Sequence, residues 1–214
     1  MTCIVGYIDR ANDTVHLGGD SAGVAGLSIT IRKDPKVFKN GPFIMGFTTS
    51  FRMGQLLMSS KFKPPKQKKS QNDYEFMVTD FIDEVRRCFK DGGYIQKFDD
   101  GDEKGGTFLV GYKGELYEID SDFQVGIPAD EYSSVGCGED LAKGAMFTLS
   151  QLEIDGITPE EILGTALNAA SHFSGGVEPP YTHVAMGKEE SEKISKALKA
   201  TRKKVTKKTN KDEE

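Results

Sequence analysis

No stretch of this 214-residue sequence carries the ~20 consecutive apolar residues that a membrane-spanning helix needs, and no signal-peptide pattern opens it. Cysteine is scarce. Cys3, Cys88 and Cys137 are too few and too ordinarily spaced for a disulfide framework or a zinc site. Reduced thiols in a cytoplasmic protein are the reading. No glycine-rich phosphate loop ending in Lys-Ser or Lys-Thr occurs, so the chain cannot use ATP in that manner. His16, His172 and His183 lack metal-ligand spacing and read as structural histidines. The acidic segment Asp99-Asp100-Gly101-Asp102-Glu103 lacks the spacing of a calcium loop and reads as a solvated loop. No metal and no cofactor are implied.

Charge of one sign is missing from most of the tail. Nine basic residues and no acidic ones lie between Lys193 and Lys211, before Asp212-Glu213-Glu214. Residues 189–214 carry net +3 and the remainder −8. With almost no large apolar residues, this end cannot offset its ordering entropy by burial, which suggests a short helix followed by disorder. It lacks aromatics to stack on bases, so a solvated tail is a better reading than a nucleic-acid contact. Residues 1–188 are long enough for one domain with a full core.

Within that domain, alternation predicts strands over Cys3–Asp9 and Val15–Asp20, joined by the turn Ala11–Thr14. A second pair, Val37–Lys39 and Phe43–Thr48, is split by Asn40-Gly41-Pro42. Helical spacing comes next over Ser50–Phe62 and, most clearly, over Tyr74–Lys90, capped by Asn72 or Asp73 and closed by Gly92-Gly93. The lysine-rich connection Lys61–Lys69 belongs in water. Strands recur at Thr107–Tyr112 and Glu115–Ile119, around Lys113-Gly114, and at Ser133–Cys137. Helices over Glu139–Leu152 and from Thr158-Pro159-Glu160-Glu161 onward precede a last strand, Thr182–Met186. Strands grouped apart from helices and joined by hairpins argue an α+β fold of two packed antiparallel sheets with helix pairs outside both.

Chemistry concentrates at Met1-Thr2-Cys3-Ile4-Val5. Loss of Met1 leaves Thr2 with a free α-amine beside its own Oγ. An amine with an unperturbed pKa of about 7.7–8.0 is a base able to activate a hydroxyl. Cys3 as an N-terminal nucleophile is a lesser alternative, since it requires removal of two residues.

Other motifs lie downstream. Leu17-Gly18-Gly19-Asp20-Ser21 ends the second strand and Lys36-Val37-Phe38 begins the third. Gly46-Phe47-Thr48-Thr49-Ser50 turns from strand to helix, Ser134-Val135-Gly136-Cys137-Gly138 enters a helix, and Phe173-Ser174-Gly175-Gly176 leaves one. Over residues 2–187 this series resembles the proteasome β-subunits and their bacterial relative HslV, among the N-terminal-nucleophile hydrolases. The resemblance implies the four-layer αββα fold of that superfamily.

It also implies roles. Thr2 would be the nucleophile, Lys36 the cation beside it and Asp20 the partner holding Lys36 in place. The backbone N–H of Ser50, where the family usually has Gly, would supply the oxyanion hole. Cys137 and Ser174 fall at the family's two serines near the nucleophile, and Ser171 at the place of its aspartate. Ala22 replaces a familiar arginine. Thr48 and Arg52 would wall the substrate pocket.

The activity implied by this resemblance is that of a threonine-type peptidase acting on polypeptides. Such a chain would assemble as a hexameric or heptameric ring, possibly doubled, and be served by a separate unfolding ATPase. Two other readings use the same residues: a non-catalytic ring or scaffold subunit, and an amide hydrolase of the superfamily acting on a small molecule.

Overall fold

The computed structural model describes residues 1–97, 103–152, 154 and 156–209. The segment 99–102 of the acidic loop and the terminal Asp212-Glu213-Glu214 lie outside the described residues. In chain order the strands are β1 (Cys3–Asp9), β2 (Thr14–Gly19), β3 (Ala22–Ala25), β4 (Ser28–Ile31), β5 (Val37–Asn40) and β6 (Phe43–Phe47). They continue as β7 (Gln96–Lys97), β8 (Glu103–Lys104), β9 (Phe108–Tyr112), β10 (Glu115–Ile119), β11 (Val125–Gly126), β12 (Tyr132–Gly136) and β13 (Thr182–Gly187). The helices are α1 (Phe51–Met58), α2 (Asp73–Phe76), α3 (Ile82–Asp91), α4 (Glu139–Ser150), α5 (Pro159–Phe173) and α6 (Lys188–Thr209). A π-helical turn, Met77–Phe81, links α2 to α3 end to end.

One sheet runs β12-β1-β2-β13 and the other β11-β10-β9-β6-β5, both antiparallel throughout. Because side chains alternate along a strand, each strand feeds two cores. On β1, Ile4 and Ile8 face the second sheet, with Leu17, Ile44 and Leu109. The intervening Cys3 and Val5 face α4 and α5, with Met146, Leu163, Leu167 and Ala170. On β6, Ile44 joins the core between the sheets, whereas Phe43, Met45 and Phe47 pack against α1 and α3. The result is four layers, αββα. The sheets meet closely at Gly46, where a Cβ would lie 2.5 Å from Ile4 Cγ2.

Local signals account for the helix ends. Asn72 accepts from the Glu75 N–H at 2.8 Å to start α2. Thr158 and Glu161 cap α5 reciprocally, with Pro159 at its first position. Helix α1 is shorter than its apolar stripe suggests. Ser59 turns extended and its hydroxyl donates to the Leu56 carbonyl at 2.9 Å, so Phe62 reaches the core from a loop.

Two departures from the sequence pattern stand out. The hairpin β3–β4 has no counterpart in that pattern, since Ala22–Ile31 shows little alternation of burial and Leu27, Ile29 and Ile31 are exposed. The Lys-rich end, where the sequence suggests only a short helix, is helical over Lys188–Thr209. Its first turns are docked: buried Ser191 donates to the Pro42 carbonyl at 2.7 Å and accepts from the Lys113 N–H at 3.2 Å. Ile194 adds to the core between the sheets.

The core beneath α1 to α3 centres on Phe43, fully buried and 4.9–6.4 Å, ring centroid to centroid, from Phe62, Phe76, Phe81 and Tyr112. Phe43→Ala is expected to cost about 3–5 kcal/mol, read as a drop in the urea midpoint at unchanged slope.

Candidate active site

The two sheets deliver three chemistry-bearing side chains to one place. Thr2 precedes β1, Asp20 follows β2, and Lys36 lies just before β5 of the second sheet. Because β1 and β2 pair Ile4 with Gly19, Asp20 lies beside the start of β1. Its Oδ1 accepts from the Cys3 N–H at 3.0 Å and from Lys36 Nζ at 2.8 Å. Its Oδ2 accepts from the Ala22 N–H at 2.9 Å and the Glu178 N–H at 3.4 Å. Lys36 Nζ donates in turn to Thr2 Oγ1 at 2.9 Å.

Asp20 and Lys36 are each 1 % exposed, which argues against an ordinary surface ion pair. Burial pushes the Lys36 ammonium below its ordinary range, and Asp20 opposes that shift without cancelling it. The neutral amine is therefore nearer to hand than on a surface lysine. Cys3 is the reverse case. Burial pushes its thiol up to about 12, so it stays protonated and unreactive, with only a weak contact to Ser134 Oγ at 3.5 Å. The structure gives no support to Cys3 as a nucleophile.

The opposite side of Thr2 is built from the β12–α4 corner. The Cys137 N–H donates to the Thr2 carbonyl at 2.9 Å, while Cys137 Sγ accepts from the Thr2 N–H at 3.2 Å. Ser174 Oγ lies 3.7 Å beyond that sulfur. This corner requires Gly136. Its φ is +107° and a Cβ there would fall 2.3 Å from the Thr2 carbonyl oxygen. Gly136→Ala is expected to displace Thr2 and lower any activity more than it lowers the unfolding midpoint, checked by assaying turnover beside thermal melts.

Not every residue expected at the site plays its expected part in the geometry. Ser171, one turn before Ser174 on α5, makes no side-chain hydrogen bond among the described residues. The Ser50 N–H donates to the Thr48 carbonyl at 2.6 Å, so it is occupied within the turn, where Thr49 has φ +61°. Ser50 Oγ accepts from the Arg52 N–H at 3.1 Å and caps α1. Arg52 Nη2 donates to the Gly92 carbonyl at 3.0 Å, tying α1 to the end of α3.

A small cavity of about 80 Å³ opens beside Thr2, lined by Met1, Val24, Phe47, Thr48, Ser50 and Phe51 among others. Thr48 is thus at the cavity wall and Arg52 is not. Met1 forms part of its wall, accepting the Thr2 hydroxyl at 2.6 Å through its carbonyl and packing on Gly176. Sequence reasoning misses Phe51, whose ring carries the Arg32 guanidinium at 3.9 Å and has Lys36 Nζ at 5.7 Å. No sequence pattern marks that role, because Arg32 arrives from the end of the unforeseen hairpin.

This α+β architecture is a fold shared with solved structures, HslV among them. Thiobacillus denitrificans BPH in complex with epoxomicin aligns over 87% of this chain and 98% of its own, at 15% identity and a TM-score of 0.69. A second structure of that protein gives 0.67 over the same shares. Eukaryotic HslV from Trypanosoma brucei aligns over 87% and 99%, at 21% identity and a TM-score of 0.60. No protein-family profile and no curated protein matches the chain by sequence.

Proposed function

We propose that the chain is a threonine-type peptidase subunit whose nucleophile is Thr2, freed by cleavage of the peptide bond before it. The observation that carries this reading is the buried relay Asp20–Lys36–Thr2, with both links at hydrogen-bond length. Such a pair is costly to bury, and its Nζ donates to the hydroxyl that the mechanism needs activated.

Cleavage before Thr2 turns an amide nitrogen, which is no base, into an amine held 3.2 Å from Cys137 Sγ. It also removes Met1 from the cavity wall. The Thr2 hydroxyl proton then passes to that amine, with Lys36 stabilising the developing alkoxide. Oγ1 attacks the substrate carbonyl carbon, the peptide C–N bond breaks, and the amine's proton goes to the leaving nitrogen. Water hydrolyses the resulting ester, releasing a carboxylate and restoring Thr2. The Ser50 N–H stabilises the oxyanion in this scheme once substrate displaces its bond to Thr48. Cys137 and Ser174 orient the amine, and Thr48 shapes the pocket, whereas Ser171 and Arg52 act at most through their neighbours.

Assembly into a ring belongs to the same proposal. It would bury the exposed Leu27, Phe147, Leu152 and Phe173, and it fits the fold shared with HslV. A six- or seven-membered ring and an unfolding ATPase are proposed from that likeness in fold. The cytoplasm is the proposed compartment, with three unpaired cysteines. Among the described residues no helix is long and apolar enough to cross a membrane.

The test is a panel of unfolded polypeptides and short peptides beside a panel of small amides, with light scattering on the same sample. Peptide hydrolysis by an oligomer is the expected result. Turnover of small amides alone points to the small-molecule hydrolase. An inert oligomer with Thr2 free points to the scaffold, the reading favoured by the occupied Ser50 N–H and the isolated Ser171.

A further inference from the structure

Where β2, β13 and the start of α5 meet, a second cluster of ligating side chains has no part in the chemistry above. β2 pairs with β13 so that His16 lies opposite Ala185 and His183 opposite Gly18, which makes the histidines diagonal neighbours on one face. Helix α5 packs over that face, and its first turn brings Glu160 to the pair. His16 Nδ1 and His183 Nε2 are 3.1 Å apart. Glu160 Oε1 lies 3.9 Å from His16 Nδ1 and 3.6 Å from His183 Nδ1. One ligand atom from each residue falls within 4.8 Å of the others.

We propose that His16, His183 and Glu160 bind a zinc-class divalent cation that staples the edge strand β13 to β2 and to the start of α5. Two imidazoles and one carboxylate form a donor set that suits zinc, with a fourth position left for water. Ligand atoms of a tetrahedral zinc site are about 3.3–3.4 Å apart, given zinc–nitrogen bonds of about 2.0–2.1 Å. The His16–His183 nitrogen separation already approaches that spacing. Glu160, the most exposed of the three, has Oε1 3.9 Å from His16 Nδ1 and can draw nearer by a rotamer adjustment, the three candidate ligand atoms already lying within 4.8 Å of one another.

Without an ion, one ring donates to the other. Cation binding replaces that bond, and the donating ring shifts its proton to its other nitrogen to present a lone pair. Burial and the neighbouring His183 push His16 below its ordinary range, which keeps that imidazole neutral. His183 and Glu160 at the surface give an entry path, while buried His16 fixes the depth of the site. The sequence conceals the cluster because 16, 160 and 183 share no motif spacing. Only the β2–β13 register and the α5 cap unite them.

The experiment uses the full chain, stripped with a chelator and titrated with Co²⁺ by visible absorption and with Zn²⁺ by calorimetry. A Cys137→Ser background removes the one cysteine exposed to solvent. One cation per chain should bind in that background with the absorption of a low-symmetry nitrogen/oxygen site. Loss of an outer partner of a metal ligand typically costs about 10–100-fold in affinity, so loss of a ligand must cost at least as much. His183→Ala and Glu160→Gln should therefore each weaken binding tenfold or more. Circular dichroism shows whether each variant folds, and Zn²⁺ should raise the melting midpoint of the parent but not of His183→Ala. Failure to bind one equivalent, binding that vanishes with Cys137→Ser, or binding unchanged in a folded His183→Ala would each overturn the proposal.

Discussion

Thr2→Ala is expected to abolish peptide hydrolysis while leaving the chain folded. The substitution removes the hydroxyl, Oγ1, and keeps the backbone contacts of Thr2 to Cys137. Lys36 keeps its bond to Asp20, so no buried charge is stranded. A lost nucleophile in a hydrolase of this logic costs on the order of 10⁴–10⁶ in kcat, because the remaining groups have no oxygen to activate. Thr2→Ser restores the hydroxyl without its methyl and should retain measurable turnover. Cys3→Ser should behave as wild type in activity, since that side chain points into the core against α4 and α5. Steady-state assays on the three variants, with melts to confirm folding, distinguish nucleophile loss from collapse of the site.

The second large effect concerns the buried pair. Lys36→Ala leaves the Asp20 carboxylate in the interior without its cation, and breaking such a pair typically costs about 3–5 kcal/mol. The backbone donors from Cys3, Ala22 and Glu178 still satisfy Asp20, so the protein should remain folded with a lowered denaturation midpoint. Activity should fall to background, because Thr2 Oγ1 loses the donor at 2.9 Å. In a double-mutant cycle Lys36→Ala and Asp20→Ala should be strongly non-additive in stability, since the second removes the charge that the first strands. Additive losses would mean that the two residues act independently and that no relay exists.

The residues behind both expectations are unequally legible in the sequence. Thr2 is visible as a Thr opening an apolar strand, whereas Asp20 and Lys36 are singled out only through the family resemblance that Leu17-Gly18-Gly19-Asp20-Ser21 and Lys36-Val37-Phe38 help to carry. The layers are visible too, since strands grouped apart from helices and joined by hairpins argue two packed sheets with helices outside both. Helix α3 is visible from the spacing of Ile82, Val85, Cys88 and Phe89, all buried in the fold. What stays hidden depends on contacts between distant segments. The Ser50 N–H is spent on Thr48 because the Thr49 backbone adopts a left-handed conformation, which no residue type there announces. Arg52 is drawn to the Gly92 carbonyl by the end of another helix. The tail helix is held by Ser191, whose partners Pro42 and Lys113 lie in turns far away in sequence.

Cys137 shows the limit most clearly. Its position beside the Thr2 nitrogen is implied by the family resemblance, but its energetic role is not legible in the sequence. A thiol accepts a weaker hydrogen bond than a hydroxyl, so Cys137→Ser should tighten the hold on the Thr2 amine and leave turnover equal or higher.

Whether Thr2 works through its own α-amine is decided most directly by intact-mass spectrometry of a preparation that is hydrolysing peptide. Every active chain should begin at Thr2, its mass lower by Met1 and by anything before it. A preparation that turns over peptide at full rate with the bond before Thr2 intact would rule out α-amine catalysis.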